Sequence, residues 1–346
     1  MRERKGPAPP AVRSLFQELY FTNPWIDSAF PSLVYEGKNG KIVGFLGIIA
    51  RKMSVCGQPI RAAFGGNFVV HPEGRSNLAG MRLLGAYMAG KQDLSLTDSA
   101  NDVSRSLLER LGFRTILPFS IHWARPLRPA HFAVHVASRL TGTAISAILR
   151  FAAKPFCLVA DSLAARLSFS PFRQTESHMH AAELDVETLL HCLAEFRGSY
   201  SLWADYDAHS LQWLLNFMER MPTRGVLRKL VVRDHSHVIV GWYIYYVKPG
   251  AVGEVVQIGG DQRFIKDILD HLFHDAWNHG VIALHGIAPR RQVADLSDKN
   301  CVFTCRGGWL VAHSRKPELL ELLNRGDAFF SHLDGEWWLD PGGRLT

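Results

Sequence analysis

A polar turn between an apolar segment and an amphipathic segment has the residues needed to bind phosphate. Residues 71–77 read HPEGRSN; they follow the apolar run 68–70 and precede a segment, 78–90, with apolar residues near helical spacing. Backbone N–H groups at a helix start are unpaired and lie at the positive end of the helix dipole, so this turn could hold a phosphate. Arg75 would add charge-assisted hydrogen bonds.

A second motif follows at residues 94–113, which read LSLTDSANDVSRSLLERLGF. The two segments together give the order strand, turn, helix and strand, followed by an Asn and then by Leu-Gly-Phe. This order resembles the acyl-CoA-binding half of the GNAT acetyltransferases. The loop of that family, Arg/Gln-x-x-Gly-x-Gly/Ala, is matched by residues 75–80, with Leu78 in place of the first glycine. Leu108 stands where the family often has a tyrosine that acts as general acid. The resemblance covers roughly residues 32–125.

The resemblance implies that acetyl-CoA, or another acyl-CoA, is the cosubstrate. Arg75 and the loop amides would hold the pyrophosphate, the preceding strand would hold the pantetheine, and Asn101 would bind its arm. The implied binding residues are Val69, Val70, Arg75, Ser76, Asn77, Leu78, Ala79, Gly80 and Asn101. Asparagine is also a favoured helix N-cap residue, and that structural role is compatible with binding.

The catalytic groups are harder to identify from the sequence. Acyl transfer to an amine requires a positioned thioester, a donor for the developing oxyanion and a group that takes a proton. Glu254, on a strand of the second half, and His122, near the end of a predicted strand, are the two candidates. The alternative for Glu254 is a solvated residue at a strand end. The general base and acid are otherwise unknown.

No metal site is predicted. Cys301, Cys305 and His313 do not have the spacing of a zinc motif, and His271 with His274 lacks the glutamate of a zinc protease helix. The five cysteines form an odd set without the spacing of a disulfide framework, which favours a reducing compartment.

Composition limits the class of protein. The chain has 346 residues, of which 47% are hydrophobic, and this is enough for two domains with cores of their own. The formal net charge of +7 suits an anionic ligand such as CoA, an anionic membrane or nucleic acid, but no nucleic-acid motif is present. The start of the chain lacks the apolar core of a signal peptide, so a cytoplasmic location is expected.

The chain divides into three parts. Residues 11–125 contain a predicted helix at 12–20 and then the GNAT-like order. The predicted elements of that order are strands 32–36, 41–54, 59–70, 93–97 and 115–124, with helices 78–90 and 101–111. The expected fold is α/β (α+β), with two GNAT-like mixed-sheet domains joined by a helical connector.

The connector, residues 126–175, is apolar and basic. Its charged residues in the helical stretch are Arg139, Arg150, Lys154 and Arg166, with Asp161 as the acidic one. A basic amphipathic helix can lie in a membrane interface, so peripheral contact with an anionic membrane through residues 130–170 is one hypothesis. The alternative is a helical connector that packs across two domains with its basic residues in water.

Residues 176–339 repeat the GNAT-like order in degenerate form. The predicted strands are 178–184, 227–234, 238–247, 254–258 and 281–287, and the predicted helices are 186–196, 207–220 and 263–278. The segment 259–263, GGDQR, lacks the family loop pattern, and Asp261 would place negative charge where a pyrophosphate would lie. Two such domains in one chain resemble tandem GNAT proteins, including mycothiol-synthase-like enzymes and Fem-type peptidyltransferases.

These observations predict an acyl-CoA-dependent acyltransferase, with N-acetyl transfer to an amine of a small molecule or amino sugar bound between the domains. One alternative is a non-catalytic tandem GNAT protein with a binding or regulatory role, which the replacements at Leu78 and Leu108 favour. A second is a membrane-surface transferase that acts on a lipid-linked or polysaccharide substrate. The acceptor, the acyl chain and the oligomeric state are left open by the sequence.

Overall fold

The structure is a computed structural model. It describes residues 10–38, 40–75, 78–140, 143–175, 177–197, 200–221, 223–305 and 308–339. The helices in these ranges are α1 (Pro10–Phe21), α2 (Pro72–Arg75), α3 (Ala79–Met88), α4 (Asp102–Arg110), α5 (Pro129–Leu140), α6 (Thr143–Arg166), α7 (Val186–Phe196), α8 (Ala208–Glu219), α9 (Ile265–Asn278), α10 (Val293–Asp298) and α11 (Pro317–Asn324). The strands are β1 (Leu33–Glu36), β2 (Ile42–Val55), β3 (Gln58–Val70), β4 (Leu94–Ala100), β5 (Arg114–Thr115), β6 (His122–Pro126), β7 (His180–Glu183), β8 (Leu202–Ala204), β9 (Val226–Arg233), β10 (Ile239–Val247), β11 (Val252–Gly260), β12 (Ala283–Ile287), β13 (Val302–Thr304), β14 (Trp309–His313) and β15 (Ala328–Phe329).

These strands form two sheets. The first has the order β15-β8-β2-β3-β4-β14-β5, with β1 also paired to β2, and the second has the order β13-β6-β12-β11-β10-β9-β7. Each contains a parallel pair near its middle, β3 with β4 and β11 with β12, among mostly antiparallel neighbours. The predicted mixed α/β class with two GNAT-like sheets is confirmed.

The two sheets exchange strands. β6 lies in the second sheet, between β13 and β12, whereas β8, β14 and β15 come from the second half of the chain and complete the first sheet. The prediction of one strand at 115–124 was wrong, because a turn at Leu117–Phe119 that contains Pro118 separates β5 from β6. The predicted domain limits 11–125, 126–175 and 176–339 stay a prediction, and each sheet contains strands from both sides of the connector.

A shared hydrophobic core joins the sheets. It combines Ile49 of the first sheet with Trp242 of the second, and it includes Trp338, near the end of the described chain. All three side chains are almost completely buried. Burial of a large apolar side chain contributes roughly 1.5–3 kcal/mol, so this core resists separation of the sheets. The segment that carries Trp338 is thereby placed inside the molecule.

The connector is helical, as predicted. It consists of α5 and α6, and the buried carboxylate of Asp161 on α6 accepts hydrogen bonds from the first turn of α5. His131 Nδ1 lies 2.6 Å from Asp161 Oδ2. The one acidic side chain of the helical stretch therefore holds the two helices together.

Candidate functional site

The first sheet opens between its two central strands. β3 and β4 are parallel partners only over Ala62–Phe64 and Leu94–Leu96, although β3 continues to Val70 and β4 to Ala100. β3 also has a bulge, because its register with β2 slips between Gly66 and Val69. Asn67 in the bulge has a φ of 51°. Beyond Phe64, the β3 backbone that faces β4 is therefore not paired by β4, and a ligand could hydrogen-bond to it.

The predicted phosphate loop lies directly after this opening. α3 begins at Ala79, and the side chain of its N-cap residue, Leu78, accepts no hydrogen bond from the first turn. The N–H groups of a first turn have no acceptor within the helix itself. Arg75 ends α2 with an exposed side chain. Gly80 lies close to β3, because a Cβ there would be 3.1 Å from Phe68 and 3.4 Å from Val70. Ser76 and Asn77 lie outside the described residues.

Leu78 adopts the backbone conformation that a glycine prefers. Its φ and ψ are 53° and 30°, in the left-handed region, and its side chain is exposed. The family pattern that the loop resembles has glycine at this position, and the observed φ supplies the physical reason. The sequence departs from the pattern here, but the backbone keeps the left-handed turn.

Two further positions of the motif have structural roles. Asn101 is the N-cap of α4, and its side-chain oxygen accepts a hydrogen bond from Ser104 N at 2.8 Å. This confirms the structural role predicted for Asn101, while its contact with a ligand stays a prediction. Leu108 is buried in a core cluster with Tyr87 and Phe113, so it takes no polar part in the site.

The opening between β3 and β4 receives a carboxyl group from near the end of the described chain. Glu336 accepts hydrogen bonds from the Thr97 hydroxyl, from Asp98 N at 2.8 Å and from the Ser99 hydroxyl at 2.9 Å. In return, Glu336 N donates to Asp98 Oδ1 at 2.9 Å. A Cβ at Gly66 would lie 3.0 Å from Glu336 Cγ, so a glycine in β3 leaves room for this side chain.

The Asp98–Glu336 pair has unusual electrostatics. Burial raises the pKa of Asp98, and burial together with the neighbouring Asp98 charge raises the pKa of Glu336 well above its usual value. Two buried carboxyl groups this close cannot both ionise at low cost, so the pair retains a proton to higher pH than free carboxylates. Such a pair can accept and donate a proton beside the opening.

Three histidines extend this polar region toward the second sheet. His332 Nδ1 lies 4.0 Å from Asp98 Oδ2, the rings of His332 and His122 are 6.3 Å apart, and His122 stacks on His285 at 5.2 Å. Burial lowers the pKa of all three, that of His285 to about 3. The histidines are therefore neutral at physiological pH. Within the described part of the chain, Nδ1 of His122 and Nδ1 of His332 have no hydrogen-bond partner.

The two catalytic candidates from the sequence lie on either side of this region. His122 Nε2 contacts Gly308 O at 3.0 Å, and Glu254 pairs with Arg224 at 2.7 Å. The Arg224 guanidinium lies 3.6 Å above the Trp337 ring, which stacks on His332 at 4.4 Å. The structure thus brings both candidates into one polar layer, with the Glu254 charge balanced by Arg224.

Sequence reasoning missed Asp98 and Glu336. Asp98 lies within a quoted motif but matches no family position, and Glu336 lies in an aromatic segment, GEWW, without a catalytic pattern. The two are 238 residues apart, so no local spacing connects them. Among the described residues, no group of three or more His, Cys, Asp or Glu side chains could hold a metal ion.

Comparison with known proteins identifies the fold. No protein-family model and no curated protein sequence matches the chain. N-myristoyltransferase from Saccharomyces cerevisiae with bound myristoyl-CoA is similar, with a TM-score of 0.54 and 13% identity over 86% of this chain and 68% of that one. A probable N-acyltransferase from Enterococcus faecalis has a TM-score of 0.55 and 12% identity over 88% and 65% of the two chains.

A third solved structure has a similar fold. A GCN5-related N-acetyltransferase from Anabaena variabilis has a TM-score of 0.55 and 9% identity over 89% of this chain and 66% of that one. The names of all three proteins describe acyl transfer to nitrogen, and their sequence identities to this chain are low. The chain has a GNAT-like fold. The strand order in the two sheets, the opening between β3 and β4, and these three similar structures show it.

Proposed function

We propose that this protein is an acyl-CoA-dependent N-acyltransferase whose donor binds in the opening between β3 and β4. The strongest support is the order of three features along the chain. The opening between β3 and β4 is followed by the bulge in β3 and then by the start of α3, where the N-cap residue Leu78 makes no side-chain hydrogen bond. The α3 amides and Arg75 would hold the CoA phosphates, and Val69 and Val70 the pantetheine. The donor is acetyl-CoA or a longer acyl-CoA, and no metal takes part in the proposal.

The acceptor amine would approach through the polar layer from the second sheet. Its nitrogen attacks the thioester carbon, a new C–N bond forms, and the C–S bond breaks to release the CoA thiolate, which receives the amine proton from the protein and leaves as a thiol. The ionised member of the Asp98–Glu336 pair would accept the proton that the amine loses, because this pair lies beside the opening. Glu254 and His122 would contact the acceptor from the outer end of the layer.

Calorimetric titration with acetyl-CoA tests the donor site. We expect saturable binding in the micromolar range that Arg75→Glu weakens strongly, because the variant places negative charge beside the phosphates. Arg263→Glu is the matched control, since Arg263 lies before the corresponding helix of the second sheet, and it should bind normally. Absence of binding to the wild type would contradict the proposed donor site.

Thiol release separates catalysis from binding alone. A panel of amines and amino sugars is incubated with acetyl-CoA, and free CoA thiol is measured. An acceptor-dependent release that Glu336→Gln lowers at unchanged acetyl-CoA affinity supports the proposed base. Tight acetyl-CoA binding without release across the panel supports the non-catalytic alternative, which the replacements at Leu78 and Leu108 favour.

We also propose that α6 contacts an anionic membrane, which would suit a lipid-linked or polysaccharide acceptor. Phe156, Val159 and Leu163 follow helical spacing and are 78%, 62% and 55% exposed, and Phe169 beyond the helix is 83% exposed. The flanking Arg166 is exposed, whereas the acidic Asp161 is buried. The side chains of Arg139, Arg150 and Lys154 lie outside the described residues. Apolar groups with basic neighbours are typical of interfacial helices.

Vesicle co-sedimentation tests this contact. We expect binding to phosphatidylcholine vesicles that contain phosphatidylglycerol, and loss of binding in Phe156→Glu/Phe169→Glu. Val103→Glu/Val226→Glu, at two exposed apolar positions on other elements, should bind like the wild type. No binding of the wild type to anionic vesicles would contradict the proposal. Among the described residues, no helix is both long and apolar enough to cross a bilayer. A cytoplasmic location stays a prediction.

A further inference from the structure

The two strands beside the proposed donor site separate at a defined point. The last paired residues are Phe64 of β3 and Leu96 of β4. With the CoA phosphates at the start of α3 and the pantetheine beside Val70, the acyl group would lie further back along β3, toward this point. An acyl chain that extends between the strands must therefore pass the residues where the strands separate.

A tyrosine from α3 occupies the point of separation. The hydroxyl of Tyr87 accepts a hydrogen bond from Leu96 N at 3.0 Å. The same hydroxyl lies within hydrogen-bond distance of two carbonyl oxygens, Leu96 O at 2.9 Å and Ala63 O. It therefore contacts the backbone of both strands at the end of their pairing. A buried hydroxyl with partners on both strands is held firmly in place, because its loss from them would leave buried polar groups unpaired.

The ring of Tyr87 is packed against β3. Tyr87 is 3% exposed, and its ring stacks on that of Phe113 with the ring centroids 6.1 Å apart. Gly65, the first residue of β3 beyond the paired stretch, leaves room for the ring. A Cβ at Gly65 would lie 3.2 Å from the ring carbons Cε1 and Cζ. A ring packed this closely cannot admit an alkyl chain beside it without moving.

The opposite face of the opening is filled as well. Glu336 accepts hydrogen bonds from β4 and lies beside Gly66 of β3, where a Cβ would be 3.0 Å from Glu336 Cγ. The same Cβ would be 2.8 Å from Leu339 Cδ1. Successive residues of a strand face opposite sides of its sheet. The slot between the strands is therefore closed on one face at Gly65 and on the other at Gly66.

We propose that Tyr87 restricts the acyl group of the donor to a short chain, because it closes the end of the slot between β3 and β4. This inference rests on the proposed acyl-CoA site and adds the residue that selects among acyl donors. An acetyl group ends before the Tyr87 ring, whereas an octanoyl chain would have to displace it. That displacement is unfavourable, since a close-packed core accommodates extra carbon atoms only with strain.

Calorimetric titration with free CoA, acetyl-CoA and octanoyl-CoA tests the restriction on the wild-type protein. In an open apolar slot, each additional buried methylene would tighten binding about fourfold. We expect the opposite, with octanoyl-CoA bound at least about 10-fold more weakly than acetyl-CoA, because its chain meets a filled core.

The three titrations separate this inference from the proposed function. Octanoyl-CoA that binds as tightly as acetyl-CoA, or more tightly, would overturn the restriction and leave the proposed donor site intact. If neither free CoA nor the two acyl-CoAs bind, the proposed donor site fails, and this inference fails with it.

Variants at Tyr87 connect the restriction to this side chain. Tyr87→Leu keeps an apolar side chain on α3 but removes the hydroxyl and the outer part of the ring that meet β3 and β4. The preference for acetyl-CoA over octanoyl-CoA should therefore fall by about 10-fold or more. Tyr87→Phe is the matched control, since it keeps the ring and should keep the wild-type preference.

A thermal unfolding transition shows that each variant is folded. If Tyr87→Leu does not fold, Tyr87→Met takes its place, because the flexible side chain of methionine can fill the core and still move aside for a chain. A wild-type preference for acetyl-CoA in the folded Leu or Met variant would show that another group restricts the acyl chain, and would overturn the role of Tyr87.

Discussion

At the scale of residues, the candidate site contains groups held in unfavourable states. Leu78 has a left-handed backbone conformation, and Asp98 and Glu336 are carboxyl groups with almost no exposure to solvent. Strained backbone and buried ionisable groups cost free energy and concentrate at functional sites. Each cost can be measured by a single substitution.

Leu78→Gly should raise the free energy of unfolding by about 1 kcal/mol. The substitution removes the steric cost of a left-handed leucine, and the exposed side chain contributes little burial. Urea denaturation of both proteins measures the change. Leu117→Gly is the control: Leu117 is similarly exposed but does not have a positive φ, so this variant should be less stable than the wild type.

Glu336→Gln should change how stability depends on pH. Because the folded state raises the pKa of Glu336, it keeps the proton to higher pH than the unfolded state does. The wild-type free energy of unfolding therefore falls as the pH rises above the ordinary glutamate pKa of about 4.3, by at most about 1.4 kcal/mol per pH unit for one proton. Glutamine stays neutral and removes this contribution.

Denaturation at pH 5, 6, 7 and 8 measures the slope for Glu336→Gln. The buried histidines act in the opposite direction, since their lowered pKa values destabilise the folded state as the pH falls below about 6.5. The difference between wild type and variant isolates the Glu336 contribution. The exposed Glu321→Gln should leave the slope unchanged, and an equal slope in Glu336→Gln would contradict the raised pKa.

At the scale of elements, the connector depends on one side chain. Asp161 is buried on α6 and accepts hydrogen bonds from Ala130 N at 2.6 Å and His131 N at 3.4 Å. Asp161→Ala leaves these donors of α5 without a partner and should cost about 1–3 kcal/mol. Hydrogen exchange of the α5 amides should accelerate. Asp161→Asn keeps an acceptor and should lose less; equal exchange in all three proteins would show that the contact is unimportant.

Most helices and central strands could be predicted from the sequence, and several short strands could not. α7 was predicted at 186–196 and spans Val186–Phe196, because its apolar spacing and N-cap Asp185 are local signals. The prediction at 115–124 was wrong, because Pro118 lies in a turn that separates β5 of the first sheet from β6 of the second. β8, β13, β14 and β15 are short, and their pairing depends on neighbours from distant parts of the chain.

At the scale of the whole molecule, the exchange of strands predicts cooperative unfolding. Residues 1–125 lack the strands β8, β14 and β15 that complete the first sheet, and most of β6 in this fragment would have no partner sheet. We expect the full chain to unfold in one calorimetric transition and the fragment 1–125 to lack a cooperative transition in circular dichroism. Two separate transitions, or a folded fragment, would show that each half is stable alone.

The sequence by itself determined the order of elements around residues 71–80 and the helical nature of the connector, because turn chemistry and apolar periodicity act over a few residues. Phosphate binding by this loop stays a prediction. Only the tertiary structure decided that Glu336 meets Asp98 and that His122 and Glu254 share one layer. These contacts join segments up to 238 residues apart. They follow from how the two sheets share strands and a core, which no local pattern encodes.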